Sequence, residues 1–99
     1  MVTTLERLID DIGALGGELT IYAEADPAWS GRSRAVACAE PEDGGVPRQA
    51  AGMTYLLEVR TAKEVLELWS AWRDGRSPSP REKCEAVIYY AMNDTYVPV

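Results

Sequence analysis

Ninety-nine residues span one ordinary domain with one hydrophobic core, too few for two. With 46% hydrophobic and 26% charged residues, and apolar side chains in short periodic groups, the composition is globular; it excludes wholesale disorder, and no apolar run approaches the roughly 20 residues that cross a bilayer. The formal charge of −6 arises in residues 1–58, where ten acidic side chains face four basic ones, while residues 59–99 balance at six and six; such a field repels nucleic-acid phosphates and anionic lipid heads and attracts basic partners, although it also simply keeps a small domain in solution.

Met1-Val2-Thr3-Thr4 leads directly into an amphipathic segment without a signal-peptide pattern, so a cytoplasmic location is expected. Thr3 is the expected N-cap of a first helix, with Glu6 reaching back to complete a capping box. Leu5, Leu8, Ile9, Ile12 and Leu15 then recur at helical spacing until Gly16-Gly17 stops the helix. From Leu19 the period changes to two, with Leu19, Ile21, Ala23 and Ala25 alternating against Thr20, Tyr22, Glu24 and Asp26, the pattern of a half-buried strand. A turn carrying Trp29, Gly31, Arg32 and Arg34 leads to a second strand over 35–39, whose Val36 and Cys38 form its more apolar side. The segment from Pro41 to Pro47 has too many breakers for regular structure and is read as an acidic loop.

Residues 53–59 read as a third strand with Met53, Tyr55, Leu57 and Val59 on one face. Thr61 to Glu64 resembles a second capping box, and Val65, Leu66, Leu68, Trp69 and Trp72 make the apolar stripe of the helix that follows, closed by Gly75. A third helix has Ser79 as N-cap, Pro80 at its first position and Glu82 completing another capping box. It is expected to bury Cys84, Val87, Ile88, Ala91 and Met92 before ending at Asn93-Asp94. The expected fold is therefore α+β over residues 1–99 as a single domain: a helix, a three-stranded antiparallel sheet and two helices, with one layer of helices on the apolar sheet face.

The chemistry of catalysis is sparse. There is no histidine, which removes imidazole-based triads, Cys-His pairs and the common zinc sites, and Cys38 and Cys84 are too far apart in sequence for a metal signature and are expected as small buried hydrophobes. Neither GxGxxG nor GxxxxGK[ST] occurs, and Glu42-Asp43 lacks the alternating oxygen ligands of a calcium loop. Glu24 and Asp26 share a strand face and form a carboxylate pair, but a domain of this size offers little cleft to shift a pKa. The expectation is a binding protein rather than an enzyme, with no cofactor and no metal.

Two constellations suit binding. Glu18, Tyr22, Glu24 and Asp26 share the polar face of the first strand; with Trp29 and the Glu40, Glu42, Asp43 cluster they would form one negative surface with aromatic anchors, as interface hot spots favour. A solvated sheet face, with Trp29 folded over a core edge, accounts for the same residues. On the third helix, Tyr89 and Asn93 lie four apart, on the side expected to be opposite Cys84, Ile88 and Ala91.

The C-terminal stretch from Ser79 to Val97, with Glu85, Tyr89-Tyr90 and Asn93-Asp94, resembles a family of small uncharacterised bacterial proteins that end in a similar helix and look like the immunity partners of polymorphic or contact-dependent toxins. The resemblance implies an acidic cytoplasmic protein that binds a toxin domain and neutralises it by occlusion. Glu85, Tyr89, Tyr90, Asn93 and Asp94 are then the family positions. An acidic inhibitor suits a basic toxin, such as a nuclease or nucleic-acid deaminase, whose groove accepts carboxylates in place of phosphates. The alternative is a homodimeric module that pairs through a sheet edge or through Tyr89 and Tyr90, with no toxin partner.

Overall fold

The structure, a computed structural model, describes residues 2–25 and 27–98. Its elements run β1 (Thr3–Thr4), α1 (Leu5–Asp10), β2 (Thr20–Ala23), β3 (Arg34–Cys38), β4 (Thr54–Glu58), α2 (Val59–Ala71) and α3 (Pro80–Asn93), with 3-10 turns at Ile12–Ala14 and Arg48–Ala50. The chain is thus a small mixed α+β domain, but its antiparallel sheet has four strands rather than the expected three, in the order β1-β3-β2-β4. The extra strand is two residues long, too short for any periodicity to reveal.

Because Thr3 and Thr4 pair with Ala35 and Arg34, the helix begins one residue later than expected. Thr4, not Thr3, is the N-cap and accepts from the Arg7 N–H at 3.3 Å. The next free N–H groups, of Leu5 and Glu6, donate to the carbonyls of Ser33 and Gly31, which seats the 30–33 turn on the start of α1. The second expected capping box does not form either. β4 runs straight into α2 at Val59, leaving Thr61 inside the first turn and Glu58 at the N-cap without a capping bond. At α3 the box does form: Ser79 Oγ accepts from Glu82 N at 3.1 Å, while the Glu82 carboxylate accepts from Ser79 N at 3.0 Å.

The strand order determines which faces are buried. Since β2 lies between β3 and β4, the chain after β3 must cross the sheet to reach β4, and this connection runs over the face away from the helices. There Ala50 and Met53 cover Tyr22, Val36 and Cys38 as a small second core. The three helices cover the other face, where Leu5, Ile9, Ile21, Val59, Val65 and Val87 are among the fully buried side chains of the main core. Each such side chain contributes about 1.5–3 kcal/mol of transfer free energy. Among the described residues both cysteines are buried and unpaired.

Three further expectations shift. A register irregularity between Ile21 and Tyr22 gives β4 an extra residue, so Leu56 and Leu57 are both buried while Tyr55 turns out to 47% exposure. Trp72 is also 47% exposed and packs edge-on against Tyr96, which bridges it to Tyr90, and Met92 is 61% exposed. Trp69 is buried as expected, beneath the Arg73 and Arg76 guanidinium groups. Arg76 also pairs with Glu82, so the end of α2 and the start of α3 are fastened together.

Candidate protein-docking groove

An open groove of about 830 Å³ lies between the 29–32 turn and α3. One wall is Trp29, whose indole N–H donates to the Ala23 carbonyl at 3.1 Å and so is fixed to the end of β2. Below it the turn is braced by Ser30 and Ser33, which exchange two hydrogen bonds of 3.0 and 3.1 Å. Gly31 sits so close to α1 that an added Cβ would stand 2.9 Å from the Glu6 carboxylate and 3.8 Å from the Cys84 sulfur.

The other wall follows from helical spacing. Cys84, Ile88 and Met92 form one row, and Arg81, Glu85, Tyr89 and Asn93 form the row beside it. Tyr89 and Asn93 therefore border the same groove as Cys84 and Ile88 instead of pointing away from them. Ala25, Pro27 and Ala28 extend the apolar strip around Trp29 and Met92.

Charge around the groove is balanced, with Glu6 and Glu85 against Arg32 and Arg81. Arg81 pairs with Glu85 at 2.9 Å, and Glu6 stands across from them. Burial, reinforced by Glu6 and Glu85, pushes the Cys84 thiol from 9.0 to about 11, so it stays protonated at neutral pH. The groove thus combines an apolar strip with charged and polar side chains along its rims.

The motif on α3 divides between groove and fold. Glu85, Tyr89 and Asn93 line the groove, the Asn93 amide donating to the Tyr89 carbonyl at 2.9 Å. Tyr90 instead packs against the main core and lies 5.1 Å from Tyr96 between ring centroids. Asp94 is the helix C-cap in the left-handed conformation, with φ of 54°.

The acidic stripe expected on β2 does not exist as one surface. Tyr22, its expected aromatic centre, is only 2% exposed and Thr20 3%, because the 39–53 crossing covers that face. The Glu18 side chain folds back over Gly16, occupying the space a side chain there would need. Glu24 lies at the other end of the strand and pairs with Arg34 at 3.5 Å. Asp26 lies outside the described residues. Glu40, Glu42 and Asp43 are exposed beyond β3, with Asp43 bonded to the Gly45 N–H. Of the expected contacts, the structure brings together Trp29, Glu85, Tyr89 and Asn93.

Glu58 and Tyr55 were not singled out by the sequence pattern. A strict period of two sends Tyr55 to the core side, and only the extra residue in β4 reverses that. Among the described residues no three histidine, cysteine, aspartate or glutamate side chains are grouped to hold a metal ion, and no helix is long and apolar enough to cross a membrane. Compared with known proteins, the chain matches no family model, no curated protein and no solved structure.

Proposed function

We propose that this domain is a non-catalytic inhibitor, an immunity protein that binds a cognate toxin domain through the groove between Trp29 and α3 and neutralises it by occlusion. The observation that supports this reading is the position of three α3 motif residues, Glu85, Tyr89 and Asn93, on one wall of this groove, beside an exposed methionine and across from a fixed tryptophan. Aromatic and methionine side chains that meet in a concavity are the composition of interface centres, while the paired charges at the rim set orientation. The one thiol lining the groove, Cys84, is pushed up by burial and stays protonated at neutral pH, so it is no ready nucleophile.

The net charge of −6 favours a basic target and points to a nuclease or nucleic-acid deaminase as the toxin. The test is to express the reading frames that flank this chain's gene, search them for a toxic domain that co-purifies with the protein, and follow the pair by calorimetry. A one-to-one complex that abolishes the toxin's activity is expected. A chain that forms a stable homodimer by light scattering, with no affinity for that domain, would replace this reading by the homodimeric module.

A further inference from the structure

On the sheet face away from the helices a second surface stands independent of the groove. The register places Tyr55, Tyr22 and Val36 in one row across the sheet and Glu58, Thr20 and Cys38 in the next, with Glu40 two residues beyond Cys38. The rings of Tyr22 and Tyr55 meet edge to face at 6.3 Å. Tyr55 is half exposed, Glu40 and Glu58 are exposed, and neither carboxylate meets a cation among the described residues.

Behind them, Tyr22 is 2% exposed and its hydroxyl has no hydrogen-bond partner among the described residues. Burial raises its pKa, and the charge of Glu40 adds to the rise. The Tyr55 phenol is raised in the same way, by burial and then by Glu58 and Glu40. A buried hydroxyl left unpaired is costly, and such groups occur where something else completes them.

We propose that this corner docks a cationic side chain, an arginine or lysine, presented by a partner protein. Glu40 and Glu58 supply the neutralising charge, the Tyr55 ring packs against the methylenes of the incoming side chain, and the Tyr22 hydroxyl accepts a hydrogen bond from its head once the side chains packed around it, Met53 and Tyr55 among them, give way. Sign decides the occupant: two carboxylates with no cation partner among the described residues and an acceptor hydroxyl leave an anion no donor except that hydroxyl, and a cation completes all three. A second copy of this chain would bring its own net charge of −6 to the contact and be repelled.

A hexa-arginine peptide, titrated into the intact protein and followed by NMR at the tyrosine rings and backbone amides, tests this directly, with hexa-glutamate as control. The expected result is salt-sensitive binding with shifts concentrated at residues 38–40, 55 and 58 and on the Tyr22 ring, while Trp29 and Met92 stay still. Glu40→Gln with Glu58→Gln is expected to weaken binding about three- to tenfold, as the loss of two exposed ion pairs, and Tyr22→Phe to weaken it by about tenfold, as the loss of a hydrogen bond to a charged group. Shifts scattered over all the carboxylates, equal binding by the double variant, equal binding by a folded Tyr22→Phe, or dilution-dependent shifts at the same residues without peptide would each overturn the proposal. Because the probe is not the toxin, failure here leaves the groove reading standing, and the reverse also holds.

Discussion

The indole N–H of Trp29 donates to the carbonyl of Ala23 at 3.1 Å, and the hydroxyl of Thr54 donates to that same carbonyl at 3.2 Å. One acceptor at the end of β2 thereby fixes the groove wall and the first residue of β4 together.

Removing the indole donor tests how much of the wall depends on this bond. Trp29→Phe keeps a ring but loses the hydrogen bond and is expected to cost about 1 kcal/mol. Trp29→Ala also loses half-buried packing and is expected to cost about 2–3 kcal/mol, less than a fully buried tryptophan. Urea unfolding measures both, and a Phe variant as stable as the parent would mean that the bond fixes position without adding stability.

Asp94 holds the left-handed C-cap of α3, and its N–H donates to the Tyr90 carbonyl at 2.8 Å. Its place in the motif is thus explained by backbone geometry. A glycine there adopts this conformation freely and a β-branched residue does not, so Asp94→Gly should exceed Asp94→Val in stability by about 1–2 kcal/mol. Thermal unfolding of the pair decides it, and equal midpoints would return Asp94 to the list of contact residues.

The start of α3 depends on Ser79 and Glu82. Ser79→Ala is expected to cost about 1 kcal/mol through the lost N-cap. The Glu82 carboxyl lies below its usual range because it accepts from the Ser79 backbone N–H and pairs with Arg76. A folded pKa below the unfolded value means that this stabilisation is complete at neutral pH and is lost as pH falls through the folded pKa. Glu82→Gln should therefore flatten the acid limb of the stability profile, and an unchanged acid limb would show that Glu82 does not contribute to it.

The Cys84 thiol offers a chemical readout of the groove floor. At about 11 its folded pKa exceeds the ordinary 9.0, so the contribution it makes is complete below the unfolded value and disappears as pH rises from about 9 to about 11. At neutral pH it should resist a thiol-specific disulfide reagent until the protein unfolds, as should buried Cys38, whose pKa is also raised by burial. Rapid labelling of Cys84 in the native protein would show that the floor opens.

What the sequence made legible follows from local rules. The Ser79-Pro80-Glu82 signature placed α3 within a residue at each end, because capping is decided by neighbours. Trp69 fell in the core as its helical spacing required. Strand order is non-local, and that is where the reading failed. Nothing in residues 19–26 states that the chain will cross their polar face after β3, yet that crossing buries Tyr22 and divides the acidic stripe. The register shift in β4 had the same effect on Tyr55. For the groove, the sequence named Trp29, Glu85, Tyr89 and Asn93 in separate groups; what it lacked was the pairing of α1 with the 31–33 carbonyls, which brings the turn up to α3.

Met92 separates binding from folding most cleanly. At 61% exposure on the groove rim it contributes little packing, so Met92→Glu should change stability by no more than about 0.5 kcal/mol. If the groove receives the apolar body of a toxin segment, that same carboxylate enters a desolvated contact and should weaken the complex by about 2 kcal/mol or more, chiefly through faster dissociation. Val46→Glu is the matched control, since Val46 is 53% exposed in the 39–53 connection that crosses the opposite face. Surface plasmon resonance with the cognate domain compares the two. Equal losses would attribute the effect to added charge alone, and a loss confined to Val46→Glu would move the docking surface to the other side of the sheet.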